Sequence, residues 1–482
     1  MAFPMADTGQ RVLAVDLDGT LLRSDMLFES FWSALAGRWS TPFAAMRGLA
    51  GGRASLKQTL SGLANVDVTG LPYDEAVIAH IHKWREDGGK AVLVTATDSK
   101  LAEAIANHLG IFDEVHGSDG KRNLKGAAKA AFLEERYGPR GFAYMGDCDV
   151  DLAVWDKAGS AVAVTSNAGL RRKLQQLHDT AEFIDRPPPK AKSYLKALRP
   201  HQWSKNLLIF LPMFAAQQLD IETLVRSVIA FVAFSLIASS VYVLNDLLDL
   251  SPDRAHPRKR NRPFASGAVP IAHGTWLAAG CLIGGFAAAL SLGWPFTLAM
   301  TAYYLLTLAY SLDIKRRLVI DICALATLYM MRIIAGGAAT GIPLSVWLLA
   351  FALFFFFSLA AVKRQAELID AANTGKLKAH GRGYQVPDVA IVSQMAIASG
   401  LVSVLVMALY VNSPTVVTLY HNPPAMWGVC LILLYWISRM VMLTHRGHMH
   451  DDPIVFAAKD PNSIVCGVLI GICALAAVVP LP

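Results

Sequence analysis

The six cysteines of this chain (Cys148, Cys281, Cys323, Cys430, Cys466 and Cys473) contain no CxxC pair. Most fall in apolar stretches, so the pattern argues against a zinc site or a disulfide framework and predicts buried reduced thiols. The opening residues, MAFPMADTGQ, lack both a basic stretch and an apolar one. No secretory leader is therefore expected, and the first domain is expected to stay in the cytoplasm. Charge of one sign is not in large excess either, the formal balance being +7 over 482 residues. It gathers mainly in short loops between apolar runs, which fits membrane orientation and argues against nucleic acid as a partner.

What is abundant is apolar sequence: 54% of the residues are hydrophobic, unevenly spread along a chain too long for one ordinary domain. Residues 1–185 read as a soluble α/β domain, 186–198 as a linker and 199–482 as an all-α polytopic membrane domain. The linker is announced by Asp185-Arg186-Pro187-Pro188-Pro189-Lys190, whose prolines continue neither a helix nor a central strand. Leu198–Asn206 then mixes cations with Trp203, the composition of a membrane interface. About nine apolar spans follow, at roughly 206–219, 224–244, 271–291, 294–312, 318–338, 343–363, 386–411, 424–443 and 463–481. With residue 200 on the cytoplasmic side, loops 245–270, 311–317, 364–385 and 444–462 face the cytoplasm. They carry Arg254, Arg258, Lys259, Arg260, Arg262, Lys315, Arg316, Arg317, Arg364, Lys376, Lys378, Arg382, Arg446 and Lys459. The opposite loops (220–223, 292–293, 339–342, 412–423) carry no Lys or Arg. That asymmetry predicts a multi-pass protein of the inner membrane, with the first domain and the acidic motif described below on the cytoplasmic face.

In the first domain, the apolar strand Val12–Val15 runs into Asp16-Leu17-Asp18-Gly19-Thr20. Carboxylates two residues apart at a strand end can act as nucleophile and acid/base, with Mg²⁺ held by them and a backbone carbonyl. A second strand, Ala91–Val94, ends at Thr95, a hydroxyl suited to a phosphoryl oxygen, and Lys125 offers a cation for developing charge, with Lys129 as an alternative. A third, Phe142–Met145, leads to Asp147 and Asp151, four residues apart and able to complete a Mg²⁺ shell. These motifs, in this order, resemble the haloacid-dehalogenase (HAD) phosphatase superfamily over about residues 10–185. The resemblance implies a Rossmann-like α/β fold with Asp16 as nucleophile, Asp18 as acid/base, Thr95 and Lys125 on phosphate, and Asp16, Asp18, Asp147 and Asp151 around Mg²⁺. Helical patterns at Phe28–Ala36, Leu56–Leu63 and Asp74–Trp84 read as a small cap, as in phosphoserine-phosphatase relatives.

In the second domain, Asn245, Asp246, Asp249 and Asp253 end an apolar span. On a continuous helix Asn245, Asp249 and Asp253 share a face, and Asp246 lies beside it. Carboxylates at a membrane edge are costly unless a cation holds them, and oxygen ligands at this spacing suit Mg²⁺ shared with a substrate phosphate. Pro252 is expected to end or kink the helix, so that Asp253 reaches the metal from a second short helix. Basic residues follow the acids, Lys259 and Arg262 among them, and suit phosphates. Further on stand Tyr310, Lys315 and Asp321, then Arg332 eleven residues deeper, which is expected to pair with an anion, and Lys363-Arg364 at a span end. His448, His450, Asp451 and Asp452 read as a solvated loop.

The pattern NDxxDxxxDxxHPxKxxRP, the later YSxxxK…D and the span count resemble the UbiA superfamily of intramembrane transferases from about Lys196 onward. Arg199–Asn206, Asp321–Gly337, Lys363–Leu368 and Asp452–Phe456 look closer to its decaprenyl-phosphate phosphoribosyltransferase branch. The resemblance implies a Mg²⁺-bound pyrophosphate substrate held by Asn245, Asp246, Asp249 and Asp253, with Asp249 and Asp253 central to catalysis. Lys259, Arg262, Tyr310, Lys315, Arg332, Lys363 and Arg364 then fall on substrate phosphates. It also implies a polyprenyl lipid substrate and the bilayer as partners. Phosphoribosyl transfer to polyprenyl phosphate is the leading expectation, with the HAD domain removing the 5-phosphate. A 4-hydroxybenzoate-type polyprenyltransferase of quinone biosynthesis, and a transporter with a fused HAD domain, are the alternatives.

Overall fold

The computed structural model describes residues 11–119, 123–375, 382–413, 416, 420–449 and 452–479. Lys376, Lys378, His450 and Asp451 lie outside them. The chain packs as two compact units: Met1–Arg199 with Tyr242–Gly280, and Pro200–Val241 with Cys281–Pro482.

The first unit is built on six parallel strands: β1 (Val12–Val15), β2 (Lys90–Asp98), β3 (Glu114–Ser118), β4 (Phe142–Gly146), β5 (Ser160–Val164) and β6 (Glu182–Ile184), in the order β3-β2-β1-β4-β5-β6. Leu13, Val15 and Leu93 pack on one face, Val12, Ala14 and Tyr144 on the other. A strand covered on both faces must be apolar throughout, and the fully buried VLAV of β1 meets that demand. Strand order reverses direction between β1 and β4, and at such a switch point the carboxyl ends open a crevice. The register pairs Val15 with both Leu93 and Met145, so Asp16 leaves the sheet level with the end of β4.

Between β1 and β2 lie four helices: α1 (Met26–Gly37), α2 (Thr41–Ala50), α3 (Arg53–Leu63) and α4 (Glu75–Glu86). The sequence predicts three of them; α2 is an addition. Asp25 caps α1 by accepting from Leu27 N–H at 2.8 Å, and Asp74 caps α4 by accepting from Ala76 N–H at 3.1 Å. The segment read as a linker is partly ordered: Ala191–Leu198 is a helix. Its Ala197 and Tyr194 pack with Phe28, Trp32 and Leu35 of α1 and with Val243, Leu247, Phe264 and Ile271.

Among the described residues, seven helices are long and apolar enough to cross a membrane: Ile221–Leu248, Ile271–Ser291, Ile320–Thr340, Val346–Asn373, Val386–Val411, Pro423–His445 and Pro461–Val478. Trp294–Leu312 is a further long helix whose tyrosines and threonines dilute its hydropathy. The expected span at 206–219 is not a continuous helix. A 3-10 run, Pro200–Phe210, gives way to the short helix Leu211–Ala215, because Pro212 lacks the N–H an α-helix needs there and is tolerated only in a first turn.

Candidate active sites

Asp16 follows the last residue of β1, and its N–H donates to Met145 O at 3.0 Å. Its Oδ1 accepts from Leu17 N–H at 2.8 Å and pairs with Lys129 Nζ at 2.8 Å. Lys129 is buried and also donates to Tyr144 Oη at 3.0 Å; Tyr144 in turn donates to Asp151 Oδ1 at 2.8 Å. The other Asp151 oxygen accepts from the N–H groups of Asp147 and Cys148 at 3.1 and 3.3 Å. Asp18 is fixed on both oxygens, by Met26 N–H at 2.7 Å and by the Thr97 hydroxyl at 2.8 Å. The buried Thr95 hydroxyl accepts from Thr97 N–H at 3.0 Å.

Burial is the largest force on these acids, and their mutual repulsion adds to it. Burial raises Asp16, lifts Asp18 to about 7 with help from Asp25 and Asp16, and lifts Asp147 to about 7 with help from Asp16 and Asp151. Burial opposes the charge on Lys129, but Asp16 and Asp151 outweigh it and carry its pKa upward. Asp147, Cys148 and Asp151 bring one ligand atom each within 4.8 Å of one another. Gly19, at φ 75°, lets Asp147 come against the loop after Asp16, because a Cβ there would lie 2.3 Å from Asp147 Oδ2. Buried carboxylates in excess over one lysine form an oxygen-rich set that a Mg²⁺ ion neutralises, so Asp16, Asp147 and Asp151 fit that ion.

Lys129 is the cation against Asp16, whereas Lys125 lies exposed. The sequence offers both lysines; Lys129 lies buried in the helix Ala127–Tyr137, and Lys125 precedes it, beyond Gly126. Arg186, from the proline-rich segment, donates to Gly19 O, to Thr20 O at 2.6 Å and to Asp74 Oδ2 at 2.7 Å, tying the loop after Asp16 to the start of α4. No motif points to it. Lys57 of α3 donates to Ala96 O at 2.7 Å, and its charge acts on Asp18 and Asp25.

The acidic motif forms a second site in the same unit. The apolar helix ends at Leu248, and the short helix Leu250–Ala255 carries Pro252 and Asp253, the break the proline predicts. Asp246 Oδ1 accepts from Arg199 and, at 3.0 Å, from Arg262; Asp253 Oδ2 accepts from the same Arg262 nitrogen at 2.6 Å, with Lys259 4.0 Å from its other oxygen. Asp249 begins the short helix, and Asn245 lies one turn before it, with Asp249 N–H donating to Asn245 O at 2.9 Å. Among the described residues no three of this motif's acids converge as closely as Asp147, Cys148 and Asp151 do. Asp246 and Asp253 nevertheless meet at one cationic nitrogen, and that donor set fits a divalent ion. Arg262 and Lys259 thus bond the acids of the motif.

The second unit holds the remaining basic residues. Arg332, 5% exposed, donates to Asn206 Oδ1 at 3.0 Å and to Leu328 O at 2.5 Å, and lies over the rings of Phe234, Tyr303 and Tyr329 at 5.1, 5.6 and 5.2 Å. The expected anion is replaced by an amide and an aromatic box: among the described residues no carboxylate pairs with it. Arg364 and Asp321 are fully buried together. Each Arg364 nitrogen reaches a protein oxygen, on Asp321, on Glu367 and, at 3.0 Å, on Tyr310. Tyr310 also accepts from Arg382 at 3.0 Å, and Lys315 is half-buried in the turn beyond it.

Lys363 and Lys205 both donate to Asp452 Oδ2, at 3.0 and 2.9 Å. Burial works to raise the Asp452 carboxyl, and Lys363 and Lys205 more than offset it, holding it well below the usual range. Asp452 is therefore not a solvated loop residue, which corrects that reading; His448 is exposed as expected. The sequence signal for Asp452 was its place beside Pro453 at a helix start.

A UbiA prenyltransferase family profile matches residues 206–459, and a haloacid dehalogenase-like hydrolase profile matches residues 13–155. An uncharacterized protein, y4nM, of Sinorhizobium fredii is 38% identical over 466 residues, which cover 95% of this chain and 89% of that one. The decaprenyl-phosphate phosphoribosyltransferase of Mycobacterium tuberculosis is 40% identical over 204 residues, 40% of this chain and 66% of that one. Among solved structures, a UbiA homolog from Archaeoglobus fulgidus bound to GPP and Mg²⁺ covers 59% of this chain and 98% of its own length, at 14% identity and a TM-score of 0.45. Both matched families are enzyme families, which displaces the transporter reading. The chain belongs to the UbiA prenyltransferase family and is a multi-pass membrane protein with a haloacid dehalogenase-like hydrolase domain at its N-terminal side.

Proposed function

We propose that the membrane domain transfers phosphoribose from phosphoribosyl pyrophosphate to a polyprenyl phosphate, and that the HAD domain then removes the 5-phosphate. The carrying observation is the pair Asp246 and Asp253, whose oxygens meet at one Arg262 nitrogen at 3.0 and 2.6 Å. Two carboxylates converging on one cation suit a metal–diphosphate, and the likeness to the mycobacterial phosphoribosyltransferase favours ribose over an aromatic acceptor. Mg²⁺ supplies charge neutralisation for the leaving group when bound by Asn245, Asp246, Asp249 and Asp253.

An oxygen of the polyprenyl phosphate forms the bond to the ribose anomeric carbon, and the bond to pyrophosphate breaks with its electrons leaving on oxygen. Arg332 supports this reading: a buried guanidinium with no carboxylate partner among the described residues is suited to a substrate phosphate. Lys259, Lys315 and Lys363 serve phosphates as well, Arg262 holds the two carboxylates until the metal displaces it, and Tyr310 and Arg364 brace the segments around them. In the HAD domain an Asp16 oxygen attacks the phosphorus, Asp18 gives its proton to the departing sugar oxygen, and water then releases inorganic phosphate as Asp18 takes a proton back. Thr95 and Lys129 serve the phosphoryl oxygens, with Lys125 as a second cation. The loop charges support a cytoplasmic orientation of both sites on the inner membrane.

Membranes holding the protein are given labelled phosphoribosyl pyrophosphate with polyprenyl phosphate, or polyprenyl pyrophosphate with an aromatic acid. Labelled lipid is expected from the first pair, with Mg²⁺-dependent pyrophosphate release. Labelled lipid from the second pair alone replaces the proposal with quinone-type prenyl transfer.

A further inference from the structure

The cap helix α2 has no counterpart in the chemistry above, and its outer side is unusual. Gly48 lies against α3, where a Cβ would come 3.1 Å from the Leu56 backbone, so that side of α2 is packed. The other side and its approach expose Trp39 (80%), Phe43 (60%), Met46 (70%) and Leu49 (56%). Trp39 and Phe43 stack edge to face at 6.5 Å between ring centres. Four large apolar side chains left in water on one ten-residue helix and its lead-in mark a binding surface.

Two further observations say what covers it. From residue 30 to residue 66 the sequence has no Asp or Glu, while Arg38, Arg47 and Arg53 of that stretch are exposed. An apolar face in a stretch that carries exposed arginines and no acids matches an anionic lipid surface. The surface is also continuous with packing against membrane helices. Helix α1, directly before α2, buries Phe28, Phe31, Trp32 and Leu35 against Leu247 and Ile271, which lie at the ends of the spans Ile221–Leu248 and Ile271–Ser291. Trp32 Nε1 donates to Thr275 Oγ1 at 3.0 Å, inside the second of those spans. Helix α2 thus continues from an element packed against the ends of two candidate membrane spans.

We propose that α2 is an interfacial membrane element, whose face of Trp39, Phe43, Met46 and Leu49 enters the headgroup region of an anionic bilayer. It holds the HAD cap on the lipid surface whatever phosphate the HAD site takes.

The test uses the full chain at one copy per lipid nanodisc, with Phe43→Cys carrying an environment-sensitive NBD probe. The unsubstituted chain, labelled alike, gives the background from native cysteines. In discs containing phosphatidylglycerol the emission shifts to the blue, and lipids bearing a shallow nitroxide quench it roughly twofold, because an interfacial helix buries its face about 5–10 Å deep. The effect weakens in purely phosphatidylcholine discs and in the triple variant Arg38→Glu, Arg47→Glu, Arg53→Glu. Water-like emission indifferent to nitroxide overturns the proposal. Protection that arises only in discs holding two chains overturns it as well, and assigns the face to a second copy.

Discussion

The two acidic sites solve one electrostatic problem in opposite ways. At the end of β1, Asp16, Asp18, Asp147 and Asp151 gather around a single lysine, and burial with mutual repulsion lifts Asp18 and Asp147 to about 7. At the end of the helix Ile221–Leu248, Asp246 and Asp253 are matched by Arg199, Arg262 and Lys259. A parallel sheet can hold repelling carboxylates because each backbone is fixed by its neighbours, as Asp16 N–H is by Met145 O. A helix end at a membrane surface has no such frame, and a carboxylate there needs a cation at hand. The first site is therefore short of positive charge, and the second is balanced by cations of the chain itself.

The sharpest separation comes from Asp16→Asn, which removes the charge of the proposed nucleophile and keeps a side-chain oxygen for Leu17 N–H and Lys129. Phosphate release from lipid-linked phosphoribose is expected to fall by about 10³-fold or more, with lipid labelling unchanged. Equal release from both proteins removes the HAD site from the reaction. Asp249→Ala is the counterpart in the membrane domain. Among the described residues its carboxylate makes no ion pair, unlike Asp246 and Asp253, so its loss leaves the helix end standing. Lipid labelling is expected to drop on the order of 10²–10³-fold, with phosphatase turnover and thermal stability unchanged. Undiminished labelling removes the acidic motif from catalysis.

How far the sequence made these two sites legible differs for a physical reason. The strand-end acids were legible because DxDGT and the later Asp147 and Asp151 each stand at the carboxyl end of an apolar run, and a parallel sheet brings all such ends to one edge. The break before Asp253 was legible from Pro252. The partner of Asp16 was only half legible: Lys125 and Lys129 are four residues apart in sequence, and which of them is buried is a tertiary fact. Arg186 was illegible, because a proline-rich run reads as a linker, although here it clamps the loop of Gly19 and Thr20. Helix α2 escaped although Trp39, Phe43, Met46 and Leu49 recur at helical spacing, and that period does not tell whether the face meets a core or water. Arg332 was expected beside an anion, but Phe234, Tyr303 and Tyr329, distant in sequence, supply its surroundings instead.

A third change asks whether the two sites are mechanically joined within the first unit. Glu29 of α1 pairs with Arg254, the residue after Asp253, at 2.6 Å, and both side chains are buried. Ser24, in the loop after Asp16, donates to Glu29 at 2.7 Å. Glu29→Ala leaves a buried arginine without its partner, a change that costs about 3–5 kcal/mol. A lowered Tm is expected together with loss of both activities, and Glu29→Asp is expected to restore part of each. A Tm within error of the parent protein means that the pair contributes little and the acidic motif stands without α1.

The smallest expected effect separates the sites by sign. Arg262→Gln removes the cation that holds Asp246 and Asp253, while Lys129→Met removes the one beside Asp16. In the cation-balanced site the guanidinium competes with the metal, so its loss is expected to lower the Mg²⁺ concentration needed for transfer by up to about tenfold, the equivalent of roughly 1.4 kcal/mol. In the cation-poor site Lys129 shares the load with the metal, so its loss lowers phosphatase kcat without easing the Mg²⁺ requirement. If Arg262 instead grips the pyrophosphate, the KM for phosphoribosyl pyrophosphate rises and the Mg²⁺ requirement stays where it was. One titration against each ligand distinguishes an arginine that guards the carboxylates from one that reads the substrate.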